Sequence, residues 1–286
     1  MNMKRLREEE RVDTNYAASG WNLVRREIFS FLKASCGSLV TREFLSVSIP
    51  LLALWEVIPR TGIVPSSLLP PPSYVAVIGW EMLSSQALLG HIAISLQRLF
   101  LGLLLAFALG FPMGVMMGWN QFVRKHALPL FQLLAPVPPP AWVPITIIVL
   151  GVGLPMQTFL IFLGAFYPIL FNTYQGVKDT EPRYLASGRV FGASEWTLIR
   201  KVFIPHALGP VVMGIKIGIA MGLVMLIIAE MHGAHSGVGY VLIESKDYFR
   251  VDRMVVCMIV LGSTGWLLIE IMKYFEAKLA IWRMGR

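Results

Sequence analysis

Six apolar stretches set the rhythm of this 286-residue chain, and short polar runs separate them. They predict membrane-spanning helices over about 44–58, 92–118, 128–150, 156–174, 208–229 and 254–272. A bilayer of roughly 30 Å takes about 20 helical residues, so the first stretch is short and draws its polar flank, Thr41 to Glu43, toward the interface. The second is uninterrupted: no charged residue occurs from Leu99 to Val123, and Gly102, Gly110, Gly114 and Gly118 fall four or eight residues apart. That spacing puts them near one helical stripe, where small residues let a neighbour approach closely. The longest charge-free run, His126 to Val177, is too long for one crossing and holds two, with Gly151 to Pro155 as the turn between them.

Prolines divide the pattern further. Pro70-Pro71-Pro72 cannot lie inside a helix, so the connection after the first stretch stays outside the membrane and continues as an amphipathic segment over 73–89. Pro136, Pro138, Pro139, Pro140 and Pro144 interrupt the third stretch and free backbone carbonyls there. Broken backbone at membrane depth is tolerated where protein buries it or where it lines a wet cavity. Ala135 to Pro144, with Trp142 inside it, is therefore a candidate pathway wall, or else a structural kink. Before all of this, residues 1 to 18 are charged and lack a core. Trp21, Val24, Ile28, Phe31 and Leu32 then share one helical face with Arg25, Arg26 and Lys33 beside it. That suits a helix lying in the cytoplasmic interface or packed on the rest of the protein. The chain thus divides into an N-terminal cytoplasmic segment, 1–43, and a transmembrane domain, 44–286, with a cytoplasmic loop at 178–207.

That loop contains a polar, basic island, 186–205. Pro182 opens a helix, because its missing N–H is one of the unpaired donors at a helix start. Gly192 interrupts, Ser194 caps a second short helix and Pro205 ends it. Trp196, Ile199, Val202 and Phe203 recur at helical spacing and leave Arg200 and Lys201 on another face. Two short helices meeting at a glycine elbow make a docking shape. An ordinary solvated loop would share the polarity.

Composition places the whole in a membrane: 56% of residues are hydrophobic and 15% charged, where a soluble domain carries roughly 25% charge. The net charge of +8 needs no nucleic acid, since basic residues beside spans set orientation. With the N-terminus inside, 19 of the 25 Lys and Arg residues fall in cytoplasmic segments and 4 outside. Both ends and the 186–205 island then face the cytoplasm. Cys36 and Cys257 are far apart in apolar surroundings and read as packing residues. The N-terminus has no apolar core with a small-residue cleavage site, so it is not a removable signal peptide. No P-loop, HExxH, GxSxG or metal-spaced Cys/His cluster occurs, so the chain has no ATPase motif and no catalytic residues of its own. His232 and His235 lack a third ligand and read as external loop residues rather than a metal site. A membrane enzyme would need polar catalytic residues within the spans, and there are none.

Ionisable residues inside spans are functional candidates. Arg98 lies near the outer end of the second span, Lys216 in the inner half of the fifth and Glu230 at its outer end. Lys216 and Glu230 are fourteen residues apart, about 21 Å along a straight helix, and cannot pair directly. Arg98 and Glu230 can meet. Either they bridge and close an outer gate, or Arg98 draws an anionic solute toward the pathway.

Gly192, nine residues and then Val202-x-Ile204-Pro205 resembles the EAA loop of ABC importer permeases, the segment that sits in a groove of the ATPase subunit. The positions that name that motif read Ala186, Ser187 and Gly188 here, so its acidic residue is missing and Gly188 weakens the first helix. Leu69-Pro70-Pro71-Pro72, Ser95-x-x-Arg98, Pro136-x-Pro138-Pro139-x-Ala141-Trp142-x-Pro144, Asn172-Thr173-x-x-Gly176-Val177, Ala229-Glu230-Met231 and Gly237-Val238-Gly239-Tyr240 are similar to the branch importing nitrate, sulfonates, taurine or bicarbonate. The resemblance runs from about residue 50 to the end. It implies an all-α type I importer fold of about six transmembrane helices, built as a five-helix core with one extra N-terminal helix. It implies a homodimer, two ATPase copies carrying ATP and Mg while this chain binds no cofactor, and a separate extracytoplasmic solute-binding protein. It assigns Ala186, Ser187, Gly188, Gly192, Ala193, Ser194, Arg200 and Pro205 to ATPase coupling, while Arg98, Pro138, Pro139, Trp142 and Glu230 are the pathway candidates from the broken backbone and the ionisable span residues. Some relatives carry riboflavin or thiamine precursors instead. An ATP-independent carrier or channel would not need the cytoplasmic elbow.

Overall fold

The computed structural model describes residues 42–284, with side chains for residues 45–276. The amphipathic helix expected over 21–32 and Cys36 lie outside the described residues. Every regular element described is helical. In chain order these are α1 (Arg42–Arg60), α2 (Pro72–Ser84), α3 (Ala87–Trp119), α4 (Gln121–Leu134), a 3-10 turn (Pro139–Trp142), α5 (Val143–Leu150), α6 (Leu154–Lys178), α7 (Pro182–Val190), α8 (Glu195–Leu198), a π turn (Ile199–Phe203), α9 (Ile204–Met231), α10 (Val238–Asp247) and α11 (Val251–Met284). Prolines mostly mark helix starts. Pro72, Pro144, Pro155 and Pro182 occupy first-turn positions, where a fixed φ helps and no hydrogen bond is lost.

Four described helices are long and apolar enough to cross a membrane: Ala87–Trp119, Leu154–Lys178, Glu195–Met231 and Val251–Glu276; Gln121–Leu134 with Pro139–Leu150 makes a fifth if that bent pair is one span. Helix α1 forms where the first of six spans was expected. Arg42, Glu43, Glu56 and Arg60 in its nineteen residues dilute its apolar character and keep it out of that set. The third stretch begins earlier than expected: α4 starts at Gln121 rather than near 128, and at the prolines expected to break it the chain turns by 84° into Pro139–Leu150. Asn120 causes the early start, since its Oδ1 accepts from the N–H groups of Phe122 (2.8 Å) and Val123 (3.4 Å) and so caps two orphan donors. Arg124 and Lys125, expected in a loop, lie in that helix.

Helix α6 is the axis of the fold, gripped by α3 on one side and α9 on the other. Leu160, Ile161, Ala165, Ile169, Leu170 and Thr173 are all but excluded from solvent. Small residues explain the closeness. A Cβ on Gly114 would stand 2.7 Å from the Leu170 carbonyl oxygen and from Thr173 Cβ, and Gly102, Gly110 and Gly118 meet Ile161, Ile169 and Val177 in the same way. On the other side, a Cβ on Gly164 of α6 would reach Met225 at 2.8 Å. Lipid tails are as apolar as leucine, so spans gain little from burying oily surface against each other. Close backbone approach supplies the dispersion contact instead.

Candidate functional site

Candidate residues gather at the two ends of α9. At one end, the first turns of α3 place Ser95 and Arg98 one helical turn apart on a common face, opposite Glu230 in the last turn of α9. Glu230 is 1% exposed and Arg98 9%, and Arg98 donates to Glu230 Oε1 at 2.8 Å. The Ser95 hydroxyl donates to the same carboxylate (2.7 Å), and the Gly239 N–H completes its shell (2.8 Å). Two further guanidinium donors go to Ser236, at 2.6 Å to its carbonyl and 3.0 Å to its hydroxyl. Val238 N–H donates to Ser95 Oγ, and Gly237 N–H to His91 Nδ1. A charge moved out of water is tolerated when its remaining lone pairs find partners, and both oxygens of Glu230 have them.

The loop is shaped for this. Gly237 adopts φ +111°, and a Cβ there would overlap the Glu230 carboxylate at 2.3 Å. The Gly237-Val238-Gly239 run therefore closes over Glu230, with the Gly239 N–H on the carboxylate and the other two N–H groups on Ser95 and His91, and sequence reasoning had the glycines without that purpose. Ser236 and His91 were missed, for a serine in a loop and a histidine at a helix start carry no signal alone. Just beyond, Tyr240 donates to Glu244 (3.2 Å), and that carboxylate's charge pushes the phenol above its usual range. The phenol thus stays protonated.

Trp142 lies half-buried near this end. It packs on the cluster of Val143, Met156, Leu160, Met225 and Ala229, the last being Glu230's neighbour. Pro138 is exposed and Pro139 half-buried at the 84° turn. The Pro-rich segment thus meets the ionic cluster through packing, not through polar contact. Lys216 is separate and pairs with Glu276 of α11. His232 bonds back to the Ile228 carbonyl oxygen, and among the described residues no group of His, Cys, Asp or Glu is placed to hold a metal.

At the other end lie α7, the Gly192 elbow and α8. Gly192 has φ +75° with open space around it, so its backbone angle, not crowding, calls for glycine. Gly192 N–H donates to Arg189 O, and Ala193 N–H to Gly188 O (both 2.9 Å), the paired bonds that close a helix through a left-handed residue. Ser194 accepts from Thr197 N–H and caps α8 as expected. Ala186 and Ser187 are exposed on α7, with Ser187 bonded back to the Arg183 carbonyl oxygen (2.9 Å). Glu181 holds Arg183 and lifts its already high pKa.

Two expectations here are corrected and one is extended. Gly188 is more than a weak helix residue, because a Cβ there would stand 2.6 Å from Leu198 Cδ2, so glycine lets α7 and α8 close without displacing that side chain. Trp196 does not join the buried face; it is 69% exposed, and Leu198 takes its place beside Ile199 and Phe203. Pro205 does not end the helix. The backbone widens to a π turn over Ile199–Phe203, Pro205 sits in the first turn of α9, and the helical path runs unbroken from Glu195 to Met231. A proline lacks an N–H and presses on the carbonyl four residues earlier. A π turn just ahead is one of the few ways a helix accommodates that strain.

Phe191 (89%), Val190 (84%) and Trp196 are all strongly exposed on this helix pair. Glu195 ties the pair to the end of α3, accepting from Trp119 Nε1 (3.0 Å) and Arg189 (3.2 Å). Arg200 and Lys201 stay exposed on the π turn. Exposed apolar side chains rimmed by polar ones suit a contact with a protein or a membrane.

Comparison with known proteins bears on both ends. The model of a family described as binding-protein-dependent transport system inner membrane component matches residues 82–280. A Methanocaldococcus jannaschii chain named as an ABC transporter permease protein is 32% identical over 257 residues, 85% of this chain and 94% of the relative. The taurine transport system permease protein TauC of Escherichia coli is 28% identical, over 81% of this chain and 86% of its own. The nitrate import permease protein NrtB of Leptolyngbya laminosa is 27% identical, over 89% and 94%. A chain from the MetNI methionine ABC transporter, solved in inward-facing conformations, superposes with a TM-score of 0.55 at 18% identity, over 65% of this chain and 92% of that one. At that identity the likeness speaks for the fold alone. With the helical architecture, the family match and the 32% relative in agreement, the chain belongs to the inner membrane components of binding-protein-dependent transport systems, the permeases of ABC importers.

Proposed function

We propose that this permease imports a small anionic solute (nitrate, a sulfonate, taurine or bicarbonate) as a homodimer. Two ATPase copies would lie against the α7–α8 pair on the cytoplasmic side and a solute-binding protein on the other. The observation that carries the reading is the continuous helix Glu195–Met231, which joins an exposed apolar docking pair to a buried ionic cluster. Closure of the ATPases would move α7 and α8, and α9 would carry that motion to Glu230. The names of the relatives support the solute class, and the exposed Phe191 and Trp196 support the docking role. Of the two roles open to Arg98, its contacts with Glu230 and Ser236 favour a lock on the outer end over direct solute capture. ATP and Mg belong to the partner, and both chain ends to the cytoplasm.

The test is ATPase activity of the reconstituted complex carrying Gly192→Pro, with and without binding protein. Lost or uncoupled stimulation with the spans still folded is the expected result; wild-type stimulation would reduce the helix pair to a loop. For the outer lock, Arg98→Gln should alter transport KM or Vmax, and unchanged values would dismiss Arg98 from the transport cycle. For the solute, binding-protein-dependent uptake of labelled taurine, nitrate and bicarbonate separates the candidates, and uptake of riboflavin or thiamine precursors alone would reject the anionic reading.

A further inference from the structure

Two clefts that the transport reading leaves unused adjoin each other on α1, α2 and α11. One, of about 750 Å³ and called the polar cleft for its charged groups, sets Arg60, Ser73, Arg250 and Asp252 among apolar neighbours such as Val77 and Phe249. The other, of about 420 Å³, is walled by Leu52, Trp55, Val75, Gly79, Val256 and Ile259 and is almost wholly apolar. Both run along the same helices in the same order. Along α1, the polar cleft takes Arg60 and the apolar one Trp55 and Leu52; along α11, the polar cleft takes Asp252 and the apolar one Val256 and Ile259. Each path covers seven or eight residues, roughly 10–12 Å at the helical rise.

We propose that these clefts together seat one membrane phospholipid, its phosphate at Arg60 and Arg250 and an acyl chain in the groove below. A ligand that is polar at one end and apolar about 10 Å further on, along helices of a membrane protein, has the layout of a phospholipid. The cations are held ready. Glu56 binds Arg60 and also takes both the N–H and the hydroxyl of Ser73, fixing the end of α1 to the start of α2. Asp252 grips Arg250 at Nε (3.0 Å) and at a terminal nitrogen (2.7 Å). A guanidinium has five donors, so each arginine keeps several for a phosphate, and their side chains stay 64% and 41% exposed. Arg–phosphate contact is among the stronger hydrogen-bonded pairings. Trp55 and Trp80 line the apolar groove and offer flat aromatic walls to an acyl chain.

The test is native mass spectrometry of the intact transporter complex, delipidated in detergent and titrated with dioleoyl-phosphatidylglycerol, dioleoyl-phosphatidylcholine or dioleoylglycerol. The two phospholipids share the phosphate and the diglyceride lacks it. Expected is retention of both phospholipids at least tenfold above dioleoylglycerol. Arg60→Gln with Arg250→Gln should bring them down to the diglyceride level. Ala76→Trp, at an exposed groove position, should lower all three, with circular dichroism melting unchanged. Equal retention of the three lipids overturns the proposal, as does unaltered phospholipid retention in the arginine pair variant. Loss of binding-protein stimulation in that variant with lipid retention intact would assign the polar cleft to a protein partner instead. A disulfide between copies through Ala76→Cys, with no lipid retained, would assign the groove to a second chain, and the proposal falls.

Discussion

The two ends of α9 solve opposite problems. Around Glu230, an ion pair, two serines and a glycine-lined loop satisfy one another almost completely and exclude water. Around Gly192, two short helices are held by a few local bonds and present bare Phe191, Val190 and Trp196. The first end is finished within the chain, and its cost appears when one member is removed. The second leaves apolar side chains bare, and it is there that we propose the ATPase docks. A buried polar cluster is complete as it stands, whereas an exposed apolar pair has room for a partner.

The largest effect should come from breaking the closed end asymmetrically. Glu230→Ala leaves the Arg98 charge buried without a counterion and should cost about 3–5 kcal/mol in detergent unfolding. Replacing both, as Arg98→Leu with Glu230→Leu, should be milder than either single change, because no orphaned charge remains. If the double variant is worse than both singles, the cluster is not the self-satisfied unit described. Next is Gly237→Ala, which meets the Glu230 carboxylate and a forbidden backbone angle together; strain of about 1–3 kcal/mol is expected, read as a lowered melting temperature. Gly192→Ala has only the angle to contend with, about 1–2 kcal/mol. It should reduce ATP-driven uptake while the melting of the spans barely moves. The smallest stability effect belongs to Trp196→Ala, within about 0.5 kcal/mol for an exposed side chain. That same change should weaken co-purification with the ATPase, and full retention of the partner would erase the contrast between the ends.

Much of this was legible along the chain. The glycine stripe of α3 announced a close neighbour through spacing alone, and the dense proline run 136–144 announced a break, whereas single prolines such as Pro112 and Pro168 lie inside helices. The elbow was readable because an αL position, a capping serine and a start proline each leave a local signature. What escaped was set by three-dimensional crowding. Gly188 looks like a poor helix residue until Leu198 is seen against it, and Ser236 like any loop serine until Arg98 reaches it. Trp196 was assigned to the buried face because periodicity was counted at 3.6 residues per turn across a stretch that is wound more loosely. Pro205 was read as a stop because a sequence shows the proline but not the wider turn that absorbs it.

That wider turn has a geometric consequence of its own. A π turn amounts to one residue inserted into an α-helix, and each residue advances the helix by about 100°. The side chains before Ile199 are therefore rotated by that angle about the shared axis relative to those after Phe203. The turn acts as a phase shifter in a rod of roughly 50 Å, setting which way Trp196 points when Glu230 points at Arg98. Deleting one residue between Ile199 and Phe203 would leave a sound helix with its two ends facing out of step.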